Sequence, residues 1–186
     1  KRETPGAGAE LARIDLSSGR SETVFAGISL LEYDISDDGK EVTFSQQPPG
    51  APSQIWLAPL DRSSPPKLIA SSGETSPYFG SDGKIVFRLT EGSSHYLARM
   101  NRDGSGRSKV VSYPIGNITS LSPDRCWVVA LTPPPKGSGL ATVASPVCGG
   151  VPVRICQGAC FPNWDSSARF FYVGLEAPSS AGPGKT

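Results

Sequence analysis

The chain has 186 residues and a mass of 19.5 kDa, which suits one domain with a buried core. Its 18 Lys+Arg and 17 Asp+Glu leave a formal net charge of +1, without the basic excess that a nucleic-acid-binding surface needs. No apolar run approaches the roughly 20 residues of a membrane-spanning helix, and 21 Gly with 18 Pro call for many turns between short strands.

Residues 1–10 are rich in Gly, Ala and Pro and are expected to form a loop. The chain starts with Lys1 rather than Met, and Lys1-Arg2 precedes no apolar segment, so a processed or excised piece of a longer protein without a visible signal peptide is expected. Residues 11–16 and 20–25 predict two strands joined by the Ser17-Ser18-Gly19 turn. The first full unit then predicts strands at 30–35, 41–46, 54–60 and 67–70. Asp37-Asp38-Gly39 is the first turn in it, with Asp to cap free amides and Gly to take positive φ. Pro59 in the third strand is a warning, since proline cannot donate to a ladder. The second unit predicts 77–79, 84–89, a loop at 90–94, then 95–100 and 107–112. The third predicts 117–121, 127–131, a loop at 132–139, then 140–147 and 151–156 around Gly149-Gly150. Residues 160–164 and 169–174 predict two closing strands, and 175–186 another loop.

Ser36-Asp37-Asp38-Gly39-Lys40-Glu41-Val42-Thr43-Phe44 recurs as Ser81–Phe87, as Ser122–Ala130, and in worn form as Trp164–Tyr172. Aligned on the last apolar residue, the copies fall at 44, 87, 130 and 172. A period of about 43 residues belongs to four-stranded propeller blades. The expected fold is therefore all-β: a half blade at 11–25, blades at 30–70, 76–112 and 117–156, and a half blade at 160–174. That makes about four blades, either a closed ring or a segment of a larger one. The first half supplies strands three and four of a blade and the last half supplies strands one and two. Pairing of the halves would close four blades and leave no raw edge; without it, partner strands or a homo-oligomer would complete the ring.

The repeat resembles the TolB-type, WD40-like propeller repeat, roughly S-P-D-G-K-x-I-x-F followed by a loop and an I-W-x-x-x-L strand. Ser36–Phe44 with Ile55-Trp56-Leu57 carries it best; Ser81–Phe87 lacks one residue, Ser122-Pro123-Asp124 lacks the Gly, and the last copy lacks Asp-Gly. The resemblance covers 11–174. It implies a bacterial propeller of the kind found as periplasmic scaffold modules, as sensor domains fused to serine/threonine kinases or winged-helix regulators, and as gating propellers of prolyl-oligopeptidase-like peptidases. The expected function is non-catalytic: a binding or sensor module with a protein or peptide partner. The alternative is the substrate gate of a serine hydrolase whose catalytic domain lies elsewhere. A periplasmic or extracytoplasmic location fits these relatives.

No catalytic residue, cofactor site or metal site is expected. His95 is the only histidine and no G-x-S-x-G occurs, so a catalytic triad has no nucleophile turn. Gly184-Lys185-Thr186 lacks the upstream Gly of a phosphate loop. Asp38, Asp82 and Asp124 recur at one point of a turn, where a local cap explains them. Asn117-Ile118-Thr119 is a glycosylation sequon. Cys126, Cys148, Cys156 and Cys160 contain no C-x-x-C pair, which disfavours zinc. Cys148 and Cys156 are too far apart in their hairpin to bond. Cys156 with Cys160, Cys126 with a neighbour across blades, and free buried thiols all stay open. The aromatics are expected to pack between blades, and Tyr78, Phe79 and Trp164, on first strands, are the channel-mouth candidates for ligand contact.

Overall fold

A polar turn that reverses the chain, followed by an alternating strand, generates each unit. The computed structural model describes residues 9–133, 139–160 and 163–174. Parts of the expected loops at 1–10 (1–8) and 132–139 (134–138), residues 161–162 of the expected strand at 160–164, and the whole expected loop at 175–186 with Gly184-Lys185-Thr186 lie outside the described residues. All described strands are antiparallel. β1 (Ala12–Ile14) and β2 (Ser21–Thr23) form a two-stranded sheet. β3 (Glu32–Ile35), β4 (Glu41–Gln46), β5 (Gln54–Pro59) and β6 (Lys67–Ala70) form the first full blade. The second is β7 (Thr75–Phe79), β8 (Ile85–Glu91), β9 (Ser94–Met100) and β10 (Ser108–Lys109). The third is β11 (Ile118–Leu121), β12 (Trp127–Thr132), β13 (Ala141–Pro146) and β14 (Val153–Gln157). β15 (Asn163–Trp164) and β16 (Phe171–Tyr172) end the described chain as a second two-stranded sheet.

Turn hydrogen bonds fix the repeat. Ser36 N donates to Glu41 O, Gly80 N to Lys84 O, Ser122 N to Trp127 O and Asp165 N to Phe170 O. Glu41, Lys84, Trp127 and Phe170 are thus equivalent, each 43 residues after the last. Val173, not Tyr172, is the counterpart of Phe44. One turn position is left-handed in all four copies: Gly39 (φ 66), Gly83 (φ 74), Arg125 (φ 59) and Ala168 (φ 57). Two copies therefore keep the turn without the glycine that makes it cheap.

Alternation along each second strand sends side chains to both neighbouring blades. Val42 and Phe44 pack back onto Leu11, Val24, Phe25 and Leu30. Ile85 and Phe87 pack back onto Ile55, Ile69 and Ala70. Val128 and Ala130 pack onto Val86, Leu97, Val111 and Ile115. The core is thus a series of interblade layers, and its second-strand members are 0–1% exposed. Removing one such ring, as in Phe44→Ala, is expected to cost about 3–5 kcal/mol.

Three expectations change. The loop at 90–94 is a tight hairpin: β8 and β9 pair out to Glu91↔Ser94 across Gly92-Ser93. The fourth strand at 107–112 shrinks to Ser108–Lys109, because after the Val110 N–Leu97 O bond the chain leaves the ladder. Closure into four blades is not formed: β1–β2 and β15–β16 are separate sheets that do not pair among the described residues. Pro59 sits at the last position of β5, opposite Glu41, where Leu60 N resumes bonding to Lys40 O.

Candidate functional site

In an antiparallel blade the turn between strands one and two and the turn between strands three and four lie on the same rim. That rim carries the repeated Ser and Asp. Ser36 Oγ donates to Asp38 at 2.7 Å, while Glu41 N donates to Ser36 Oγ. Ser122 and Asp124 repeat this at 2.5 Å, with Trp127 N on Ser122 Oγ. In the worn copy the roles are exchanged: Asp165 receives Phe170 N and the Ser167 hydroxyl, and Arg169 N donates to Ser167 Oγ. These bonds favour the ionised carboxyl, so Asp38 (Ser36 first, then Lys40 N) and Asp165 (Ser167 first, then Phe170 N) lie below the usual carboxylate range. Asp15, bonded by Ser17 and Ser18, falls to about 2. The aspartates cap their own turns, and among the described residues no group of His, Cys, Asp and Glu gathers to hold a metal ion.

Two of the cysteines also sit on this rim, and the other two lie at the opposite end of the blade, where Cys156 is paired with Thr142. Cys126, just after the left-handed Arg125, bonds Cys148 in the β13–β14 turn. Cys156 bonds Cys160. Both are disulfides, so the free-thiol reading is overturned. Two turns of one blade meet on one rim, which brings residues 22 apart into bonding distance. Ser81 Oγ of the second blade touches Cys148 Sγ at 2.9 Å.

The inner strands carry a charged network across three blades. Glu32 of β3 accepts Ser76 N at 2.7 Å and the Ser76 hydroxyl at 3.0 Å. Asp34 accepts Phe79 N at 2.9 Å. Arg125, from the third blade, reaches Asp34 at 2.6 Å, Ile35 O at 2.8 Å and Phe79 O at 3.0 Å, and also bonds Asp37. Burial pulls the Arg125 pKa down, but the Asp37 and Asp34 bonds and charges together outweigh it, and the net shift is upward. Tyr78 is pushed up to about 12, mainly by burial and further by the Glu32 and Asp34 charges. Arg88 lies below its usual range because burial outweighs the pull of Glu32. The Glu32 and Asp34 carboxylates are already engaged by amides, hydroxyls and a guanidinium. Chemically this network holds blades together; it does not present a poised base.

His95 stands apart from it. Its Nδ1 lies 3.2 Å from Thr90 Oγ1, which donates to Gly73 O at 2.9 Å. The hydroxyl proton is spent on the carbonyl, so Nδ1 carries the proton that joins the pair. Burial, then the Arg88 charge, lowers the His95 pKa.

A cleft of about 730 Å³ opens between the second and third blades. One wall is 110–113, where the fourth strand breaks off, with Arg99 and Asp82; the other is Pro146 to Gly150 with Pro152 and the Cys148 disulfide. Tyr113 lines it too, its hydroxyl 2.8 Å from Ser145 Oγ. Lys109, also in the lining, is held over the Tyr96 ring at 3.5 Å and bonds Glu91 at 2.7 Å. No motif in the sequence marks this cleft; its signal there is the irregular 110–116 stretch with Pro114 and Gly116.

The three sequence-selected aromatics do not converge. Tyr78 and Phe79 are neighbours on one strand and point to opposite blades. Tyr78 packs in the layer toward the third blade, and Phe79, 3% exposed, in the layer toward the first. Trp164 is half-buried; its Nε1 donates to Ser120 Oγ at 3.2 Å, and its ring meets Phe171 edge-on. It lines a separate cleft with Asp124, Trp127 and Arg169.

No protein-family model and no curated protein sequence matches the chain. Its likeness to solved structures is in the fold. TolB from Acinetobacter baumannii superposes with a TM-score of 0.66 at 18% identity, over 83% of this chain and 40% of that one. An oligogalacturonate lyase in complex with manganese gives 0.64 at 12% identity, over 87% of this chain and 52% of that one. A prolyl endopeptidase gives 0.57 at 16% identity, over 84% of this chain and 27% of that one. This chain thus spans about a quarter to a half of those proteins. Its fold is a TolB-like propeller, built of four-stranded blades with an open half blade at each end.

Proposed function

We propose that this propeller module is a non-catalytic recognition element whose partner is a protein or peptide, bound in the cleft between the second and third blades. One observation supports this most: the cleft offers an interrupted strand edge and mixed apolar and charged walls, while the carboxylates of the inner strands are already engaged. Rigid sheets carrying variable loops suit such contacts. The module is expected to leave catalysis to other domains of a larger bacterial protein. The two disulfides favour an oxidising, extracytoplasmic compartment.

The second reading makes the module the substrate gate of a serine hydrolase. It draws on the likeness to a prolyl endopeptidase, and the inner strands would then face the substrate.

The test is selection of peptides from a random display library, followed by affinity measurement by fluorescence polarisation. Ser112 is exposed on the wall of the cleft, so Ser112→Trp fills the cleft without burdening the fold. Binders that lose at least about tenfold in affinity with Ser112→Trp, about 1.4 kcal/mol, support the proposal. Failure to select any binder, or affinity unchanged by Ser112→Trp, contradicts it.

A further inference from the structure

Arg102, Arg107 and Arg125 each bond a carboxylate and a backbone carbonyl. Arg99 differs. It stands on β9 opposite Val86, two residues beyond Leu97 on the same face, and that face looks toward the third blade. Its Nε is buried and meets no acceptor among the described residues. Its Nη1 stands 3.5 Å from an Asp82 oxygen, longer than a good N–H···O bond. Arg88 on β8 has the same unmatched Nε, but of the two Arg99 alone lines the cleft between the second and third blades. Asp82 does not use up the Arg99 charge, because it also pairs with Lys84 Nζ at 3.7 Å and accepts the Lys84 amide at 3.2 Å. Both ion pairs reach solvent and are weakly held. Lys109, the other cation of the lining, is tied to Glu91 and lies over the Tyr96 ring.

We infer that Arg99 takes a carboxylate of the partner, so that the cleft selects acidic peptides; this rests on the cleft being the peptide site. A guanidinium presents a planar fork of N–H donors that matches the two oxygens of a carboxylate. Asp82 can give up its long contact with Arg99 at little cost, since Lys84 and its amide stay in place. Among the charged residues of the lining, Arg99 and Lys109 outnumber Asp82 by one. That excess suits a singly charged carboxylate, and Asp82 beside it repels a more highly charged anion. Val110 and Val111 on one wall and Pro146 and Val147 on the other are apolar. The favoured ligand therefore places an apolar side chain next to its acid.

Nitrogen–proton correlation NMR on the 186-residue chain tests the carboxylate site without a selected peptide. The probes are N-acetylglycine, which carries a carboxylate, and N-acetylglycinamide, which does not. N-acetylglycine should shift the Arg99 Nε–H signal, identified by its absence in Arg99→Lys, and the shift should saturate. The amide should leave the signal in place. No saturating shift, or an equal shift with the amide, overturns the inference. Peptides selected from the display library then locate the carboxylate. Arg99→Gln should weaken them about ten- to hundredfold. Amidating the peptide C-terminus should match that loss if a chain end is bound; replacing Asp and Glu of the peptide by Asn and Gln should match it if a side chain is bound. Peptides that lose affinity with Ser112→Trp but not with Arg99→Gln overturn the inference and leave peptide recognition in the cleft standing. A saturating Arg99 shift when no peptide can be selected supports the carboxylate site and contradicts peptide recognition. Where Arg99→Gln does not fold, the probe shift in the parent protein decides.

Discussion

Arg125 occupies a backbone position that favours glycine, and this conflict can be measured. Left-handed φ costs a non-glycine residue about 1–2 kcal/mol, so Arg125→Gly removes a penalty. It also removes a guanidinium that is 13% exposed and bonds Asp34, Asp37, Ile35 O and Phe79 O. Asp37, 72% exposed, contributes at most about 1 kcal/mol. Asp34 is only 20% exposed, and stripping a partner from a buried pair costs about 3–5 kcal/mol. Asp34 keeps its bond from Phe79 N, which places the loss at the lower end. The net expectation for Arg125→Gly is a destabilisation of about 2 kcal/mol, a fall in Tm of about 4–8 °C for a chain of this size. Arg125→Ala keeps the strain and should be worse by about 1 kcal/mol. Urea unfolding monitored by tryptophan fluorescence gives both values. An Arg125→Gly protein as stable as the parent, or more so, would show that the turn strain outweighs the network.

Glu74 is fully buried, with Arg107 at 2.6 Å and Ser72 N at 2.6 Å; Arg107→Ala leaves that charge unpaired and should cost about 3 kcal/mol in urea unfolding, and a loss under about 1 kcal/mol would refute the burial. At Gly104 (φ +88) an added Cβ would lie 2.3 Å from Ile69 O, whereas at Gly39 (φ +66) it meets nothing within 4 Å. Gly104→Ala should therefore destabilise clearly more than Gly39→Ala, for which about 1 kcal/mol is expected; equal losses would contradict the close approach of the two blades. Replacing both Cys126 and Cys148 by Ala opens a cross-link over 22 residues and should lower stability by about 3 kcal/mol, read from the urea midpoint. The His95 pKa is depressed in the fold, so the unfolded chain binds the proton more readily. His95 then withdraws stability as pH falls from about 6.5 toward its lower folded value. NMR titration of this single imidazole should give a pKa below 6.5, and His95→Gln should flatten that part of the stability profile; a folded pKa at or above 6.5 refutes it.

The architecture was legible because a repeat announces itself several times. The polar turn and alternating strand recur, and each alternation has to bury both faces between neighbouring blades. Single departures from the pattern were harder to interpret. The Arg at 125 was visible as a missing Gly, but only the fold brings Asp34 and Phe79 within its reach. An arginine in a costly turn conformation was the available signal. The last copy looked eroded because Ser and Asp had exchanged places, which preserves the hydrogen bonds and hides the repeat. Cys126–Cys148 depends on two turns sharing a rim, a consequence of blade topology rather than of spacing along the chain. Tyr78 and Phe79 were correctly placed on a first strand, yet strand alternation turns their rings into the interblade layers. The cleft is formed by a strand that stops early, and propensity marks such a stop only through Pro114 and Gly116.

The most direct test of the recognition role is amide hydrogen exchange of the chain with and without a selected peptide. Binding in the cleft should slow exchange over 110–113 and 146–152, its two walls. Slowing confined to the inner strands around Glu32, Ser76 and Tyr78 would contradict it and favour a substrate gate.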